Sequence, residues 1–252
     1  MSEEHVWVVG DCLAPFANND HVETLGGVLS RLERGPHGKE VTVLHPGLGV
    51  DRTCWRDVGD AITRRGLSSL VLAHGEPPQP VARHRVLKKA QDNVLLGDAR
   101  ASGEELCASL VVPNETEMLR DHTAEQQHVP GMLLIEAAIQ LVTWGVGETV
   151  PPTARGETRY AVMHRCGFSF GRFVFPLPVL LRGRLSRSGE ADDERVPLTA
   201  HLWAEQAGET TGVYDFELNA FDPRAVFAIE AGQAGKTLAR AGAPSGEEGS
   251  TE

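Results

Sequence analysis

The 252-residue sequence holds only four cysteines, and no two of them are spaced as CxxC. Cys12, Cys54, Cys107 and Cys166 are scattered along the chain. That pattern removes a thiolate knuckle or a redox pair and leaves buried, reduced thiols in a cytoplasmic protein as the expectation. Basic residues are also scarce: 24 Lys and Arg stand against 35 Asp and Glu, a formal charge of −11. No compact Lys/Arg cluster with interleaved aromatics offsets the deficit, which argues against a nucleic-acid grip, since phosphate binding needs a basic surface. Long apolar runs are missing too. The longest is about one ordinary helix and carries Glu136, so no membrane span is expected. The opening MSEEHVWVVGD is acidic and then immediately apolar, which is not the layout of a signal peptide. Finally, neither GxGxxG nor GxxxxGK[ST] occurs, so HPGLG at residues 45–49 reads as a plain turn and not a phosphate cradle.

What is present divides into two rhythms. Over the first ~75 residues, HVWVVGD, EVTVLHPG and SSLVLAHG read as short buried strands. Helix candidates lie between them at Val22–Glu33 and Trp55–Arg65, the second ending at Gly66. Such alternation predicts a small α/β domain, residues 1–78, around a parallel sheet. HGEPPQPVARHR, with Pro77, Pro78 and Pro80, reads as a linker. A second domain, residues 79–238, follows. DNVLLGDARA and ELCASLVVP read as two strands, and an apolar helix spans about Pro130 to Gly147. Four strand candidates complete it: Arg159–Phe168, Pro178–Arg187, Pro197–Gln206 and Gly212–Phe221. In the last, Tyr214, Phe216, Leu218 and Ala220 share one face and Asp215, Glu217 and Asn219 the other. A helix apolar all round must be covered on more than one side, so the prediction is an α+β layer with a curved antiparallel sheet wrapping the helix. Residues 239–252 lack large apolar side chains and read as a disordered tail.

The stretch DHTAEQQHVPGMLLIEAAIQLVTW, from Asp121 to Trp144, places Glu136 inside that apolar helix. An unpartnered buried carboxylate costs several kcal/mol, so something must make it tolerable. It can pair with an arginine such as Arg159 or Arg172, reach out at the helix edge, or face a cavity in which it works. Pro130-Gly131 opens the helix, putting Glu136 about a turn and a half below unpaired N–H groups that bind anions and polarised carbonyls. That arrangement suits acid/base work on a carbonyl compound. Gln140 shares the face of Glu136 at i+4 and is placed to hold the carboxylate. His122 and His128 precede the helix in a polar loop. A zinc site needs a third ligand that no compact Cys/His/Asp set supplies, so no metal is expected. His164 and His201 read as ordinary strand residues.

DHTAEQQHVPGMLLIEAAIQ resembles the signature of the A-factor biosynthesis (AfsA-like) hotdog family, whose members share a DH…HVPGM, apolar, EAARQ-like run. HRVLKKAQDNVLLGDAR upstream and FSFGRFVFPLPVLLRG downstream match the same family in the same order, covering about Arg83 to Phe221. The resemblance implies a hotdog fold, a long helix wrapped by antiparallel sheet, with an acyl-thioester site where two such domains pair. With one domain in the chain, a homodimer is the expectation. More distantly, the segment resembles hotdog 3-hydroxyacyl-ACP dehydratases, in which a His and a Glu flank a loop carrying Pro-Gly. Laid on that pattern, His122 matches the reactive His and Glu136 the Glu. On the AfsA-like pattern His128 belongs to the HVPG core, so both histidines stand as candidates. One departure is clear: EAARQ is EAAIQ here, with Ile139 in the place of an Arg.

The resemblance implies an enzyme of secondary-metabolite or signalling-molecule synthesis acting on an acyl carrier protein or acyl-CoA thioester, with no cofactor. The implied reaction is transfer of a β-ketoacyl group to a hydroxylated acceptor, as in butyrolactone synthesis. Glu136 would serve as general base, His122 or His128 would assist proton transfer, and Gly131 and Gln140 would bind substrate. Dehydration by the His122/Glu136 pair and thioester hydrolysis use the same scaffold. A non-catalytic acyl-binding or scaffolding protein is the reading that Ile139 keeps open, because fold does not settle chemistry.

Overall fold

The computed structural model describes residues 3–35, 41–114, 116–120 and 127–242. The first part contains β1 (Glu3–Val9), β2 (Val22–Thr24), α1 (Leu25–Arg34), β3 (Val41–Pro46), α2 (Arg52–Arg64) and β4 (Val71–Ala73). The strands form a wholly parallel sheet in the order β2-β1-β3-β4. Both helices have side-chain caps: Thr24 accepts from the Gly27 amide, and Asp51 from the Cys54 amide. Val28, Leu32, Val58 and Ile62 pack with Val6, Val8 and Leu44 of the sheet. The helix expected from Val22 begins three residues later. Val22 to Thr24 pair with Trp7 to Val9 instead, because β-branched residues suit a strand and Thr24 is then free to cap α1.

The second part contains β5 (Leu96–Ser102), β6 (Glu105–Leu110), a short α3 (Glu117–Arg120), α4 (Gly131–Thr149), β7 (Tyr160–Phe170), β8 (Leu180–Arg187), β9 (Arg195–Gln206) and β10 (Glu209–Phe221). Its six strands form one antiparallel sheet in the order β5-β6-β8-β9-β10-β7. Leu133, Ala137, Leu141 and Val142 of α4 are fully buried against Leu181, Leu202 and Leu218 of the sheet. Each such Leu contributes roughly 2 kcal/mol of burial. The alternation expected in β10 is present: Tyr214, Phe216, Leu218 and Ala220 face the helix. This wrapped helix is the hotdog arrangement.

Three features depart from the sequence reading. The proline-rich segment is not a free connector: Gln79 and Asp98 exchange hydrogen bonds, and the Val81 amide donates to the Leu96 carbonyl at 2.9 Å. Its prolines hold it extended along β5 while denying it a full ladder. Next, HPGLG is a turn, as read, but one that also docks the two parts together. The Leu48 amide donates to the Pro176 carbonyl at 3.1 Å, and a Cβ at Gly47 would lie 2.6 Å from that oxygen. With Phe16 stacked on Phe175 at 5.6 Å, it joins the parallel sheet to the hotdog core. Lastly, residues 239–241 are not tail: they end a 19-residue helix α5 (Pro223–Ala241), which sequence reasoning missed. The Asp222 side chain caps it, Pro223 sits where a missing N–H costs nothing, and alanines favour its continuation. Residues 243–252 lie outside the described residues.

All four cysteines are free. Cys12, Cys54 and Cys107 are half-buried, whereas Cys166, expected inside, is exposed on β7, one of the two edge strands of the sheet. No described helix is long and apolar enough to cross a membrane.

Candidate functional site around helix α4

The start of α4 lacks a side-chain cap, since Pro130 occupies that position. The Leu133 and Leu134 amides turn back to the Pro130 carbonyl, and the Gly131 and Met132 amides have no acceptor among the described residues. The entry is fixed by the Val129 amide, which donates to the Val174 carbonyl at 2.7 Å. A Cβ at residue 131 would stand 2.9 Å from Cζ of Phe170, so any side chain there would push that ring aside.

Glu136 lies half-buried with its side chain 22% exposed. Neither arginine considered for it is its partner: Arg172 pairs with Glu209, and Arg159 donates to the Pro151 and Asp193 carbonyls. The partner is Lys88, whose Nζ is 2.5 Å from Oε1. Gln140 Nε2 donates to the same oxygen at 2.9 Å and to the Asn93 carbonyl at 2.8 Å, while its Oε1 accepts the Leu95 amide at 2.8 Å. Gln140, only 1% exposed, is thereby fully used. Both contacts to the carboxylate fall on one oxygen; Oε2 has no partner recorded among the described residues.

Lys88 escaped sequence reasoning, although its motif did not. The three family-like segments converge on α4. HRVLKKAQDNVLLGDAR supplies Lys88, Asn93 and Leu95 to Glu136 and Gln140. FSFGRFVFPLPVLLRG brings Phe170 to Gly131, Val174 to Val129, and Phe173 to His128. The His128 ring lies 4.7 Å from the Phe173 ring, and no hydrogen bond or ion pair links it to Glu136 among the described residues. His122 lies outside the described residues. Ile139, in the place of the family arginine, packs against the hydrophobic core.

Elsewhere the histidines act as surface polar groups. His201 bonds Asp215 at 2.7 Å and His164 lies 3.8 Å from Glu217, both on the solvent side of the sheet. A groove of about 510 Å³ runs there beside Arg165, Arg184 and His201, on the face opposite α4. No described group of three or more His, Cys, Asp or Glu side chains is arranged to hold a metal ion.

The profile of the A-factor biosynthesis hotdog domain matches residues 73–222. Among curated proteins none matches the sequence. Similar solved structures include the conserved protein PA5202 of Pseudomonas aeruginosa, 16% identical, covering 55% of this chain and 98% of its own at a TM-score of 0.40. A mutant of thioesterase PA1618 from the same organism is 15% identical over 50% of this chain and 81% of its own, with a TM-score of 0.37. Thioesterase HI1161 of Haemophilus influenzae is 10% identical over 49% and 76%, also at 0.37.

Proposed function

Since the chain belongs to the A-factor biosynthesis hotdog domain family, we propose that it processes an acyl thioester at the amino end of α4, by transfer of the acyl group to a hydroxylated acceptor. One observation carries the reading. Among the described residues Lys88 and Gln140 fix Glu136 through Oε1 and nothing pairs with Oε2, on a residue about 7.5 Å along the helix axis from Gly131. A carboxylate held in this way takes the proton of an attacking hydroxyl without swinging out of register. The acceptor oxygen bonds to the thioester carbonyl carbon, the carbon–sulfur bond breaks, and the thiol leaves with a proton that His128 or His122 can relay. The Gly131 and Met132 amides, with the helix dipole behind them, stabilise the oxygen that becomes negative in between. The substrate is a carrier-protein or CoA thioester of secondary-metabolite or signalling-molecule synthesis, and the working form is a homodimer paired along β7, with the acyl chain between α4 and the second copy.

A second reading has its own support. The Lys88 ion pair and Ile139, half-buried where the family has an arginine, also suit a protein that binds an acyl group without turning it over. One experiment separates the two. Purified protein is given a 3-oxoacyl thioester with and without glycerol-type acceptors, and ester, free acid and thiol are quantified. Acceptor-dependent ester formation, lost by at least about 100-fold in Glu136→Gln with unchanged folding, is the expected result. Free acid without acceptor indicates a thioesterase, and water loss from a 3-hydroxyacyl thioester a dehydratase. Tight binding with no turnover of any kind leaves the binding role.

A further inference from the structure

The start of α4 has a second polar group beside it. Tyr214 of β10 is 0% exposed, and its hydroxyl has no hydrogen-bond partner among the described residues. Buried hydroxyls are nearly always paired, because an unpaired one forfeits its bonds to water. The phenol leans along the strand: its Oη lies 2.8 Å from where a Cβ of Gly212 would be, so the glycine leaves the room that the hydroxyl fills. Gly212 is the register partner of Phe170. The Phe170 ring meets the Tyr214 ring edge-on, with centroids 6.2 Å apart, and its tip rests on Gly131. The hydroxyl therefore lies at the Gly212 end of its ring, level with Phe170, and that one aromatic ring, 46% exposed, borders both the phenol and the first residue of α4.

We propose that Tyr214 is a catalytic hydrogen-bond donor, its hydroxyl and the first-turn amides of α4 together holding the acyl carbonyl oxygen beside the Phe170 ring. The proposal rests on the acyl-thioester reading and adds the residue that completes its carbonyl site. When the acceptor oxygen adds to the carbonyl carbon, the developing charge falls on an oxygen facing the phenol O–H. The phenol keeps its own proton throughout; burial, which pushes its pKa up to about 12, keeps it a neutral donor over the whole working range. A donor with no partner among the described residues loses no bond to protein on binding substrate.

Tyr214→Phe removes the hydroxyl and keeps the ring. The expected result is kcat lower by about 100-fold, KM little changed, and a melting temperature equal to or above that of the natural protein, since no existing bond is broken. A spectroscopic readout independent of turnover uses an octanoyl pantetheine analogue with a methylene in place of the thioester sulfur. Its infrared carbonyl band should move to lower frequency when bound to the natural protein and lose much of that displacement in Tyr214→Phe. An unchanged kcat with an unmoved band overturns the proposal, as does a lowered melting temperature, which would give the hydroxyl a structural role. Glu136→Gln run in parallel keeps the two ideas apart. If the natural protein turns over no acyl thioester the thioester reading falls, while the carbonyl band still decides Tyr214; if Glu136→Gln is inactive and Tyr214→Phe is fully active, only the role of Tyr214 falls.

Discussion

At the scale of single residues, the buried glutamine explains how a charge is tolerated within the apolar helix. Gln140 spends its three hydrogen bonds on Glu136, the Asn93 carbonyl and the Leu95 amide, tying α4 to the segment that leads into β5. Gln140→Met keeps the volume but leaves a buried amide and carbonyl without partners, each costing about 1–3 kcal/mol. A loss of roughly 3 kcal/mol in urea unfolding is expected, whereas Glu136→Gln, which keeps an acceptor for Gln140, should lose less than about 1 kcal/mol. Equal losses would show that the carboxylate, and not the amide, organises the site. The sequence made the Glu136–Gln140 pairing legible because four residues is one helical turn. Lys88 was not legible. It lies far away in sequence, and the choice between Lys88, Arg159 and Arg172 is made by how β5 and α4 pack, which no local pattern records.

At the scale of elements, periodicity predicted what it physically controls. Each of the ten described strands overlaps a region read as strand or, for β2, the edge of one read as helix, and α4 begins at Gly131, one residue from the position expected. The failures are of another kind: α5 has few large apolar side chains and no strong period, and the β2 edge is decided by pairing with β1. The parallel sheet also brings together histidines that the sequence scatters. His5 Nδ1 lies 2.8 Å from His45 Nε2, and the rings of His5 and His74 stand 5.1 and 5.2 Å from that of His45, with Trp7 alongside. Glu3 and Glu4 lie on the same strand, Glu3 facing His5 and Glu4 facing His21. The His45 pKa is lowered, first by burial and then by the charges that His5 and His74 would carry. A histidine that binds its proton less well when folded destabilises the fold as acid is added, because the unfolded chain then takes up more protons. Stability of this part should hold above about pH 6.5, the ordinary histidine value, and fall as pH drops below it. Urea midpoints at pH 7.5 and 5.0 measure the fall, and His45→Gln should shrink the difference. A stability that rises in acid, or a His45→Gln profile identical to the natural one, would contradict the clustering argument.

At the scale of the whole molecule, one copy leaves two elements unfinished. β7 is the sheet edge, and over its eleven residues the outward N–H and C=O groups offer a ladder to another strand. Phe168 and Phe170 pair in register with Tyr214 and Gly212 on the helix-facing side, yet both are exposed, as is Met132 beside them. Next to this edge, α5 follows β10 and has no buried side chain, with Phe227 73% and Leu238 72% exposed. A 19-residue helix with no fully buried side chain is marginal in water, so its persistence calls for cover. A second copy paired antiparallel along β7 would cover the aromatic edge, and the groove of about 460 Å³ between α5 and Val162, His164 and Phe221 lies beside the same edge. The two elements should therefore gain or lose order together. Light scattering should give twice the 27.2 kDa chain mass at micromolar concentration. Phe168→Asp, which sets like charges against each other across a twofold edge, should give the single mass while leaving the hotdog core intact by circular dichroism. In hydrogen exchange, the α5 amides should be protected in the natural protein and exchange at close to the unprotected rate in the Phe168→Asp variant, because a helix with nothing against it opens locally. If α5 stays equally protected in the monomeric variant, its stability comes from within one chain. If the natural protein is itself a monomer, the acyl channel must be formed by α4 and its own sheet alone.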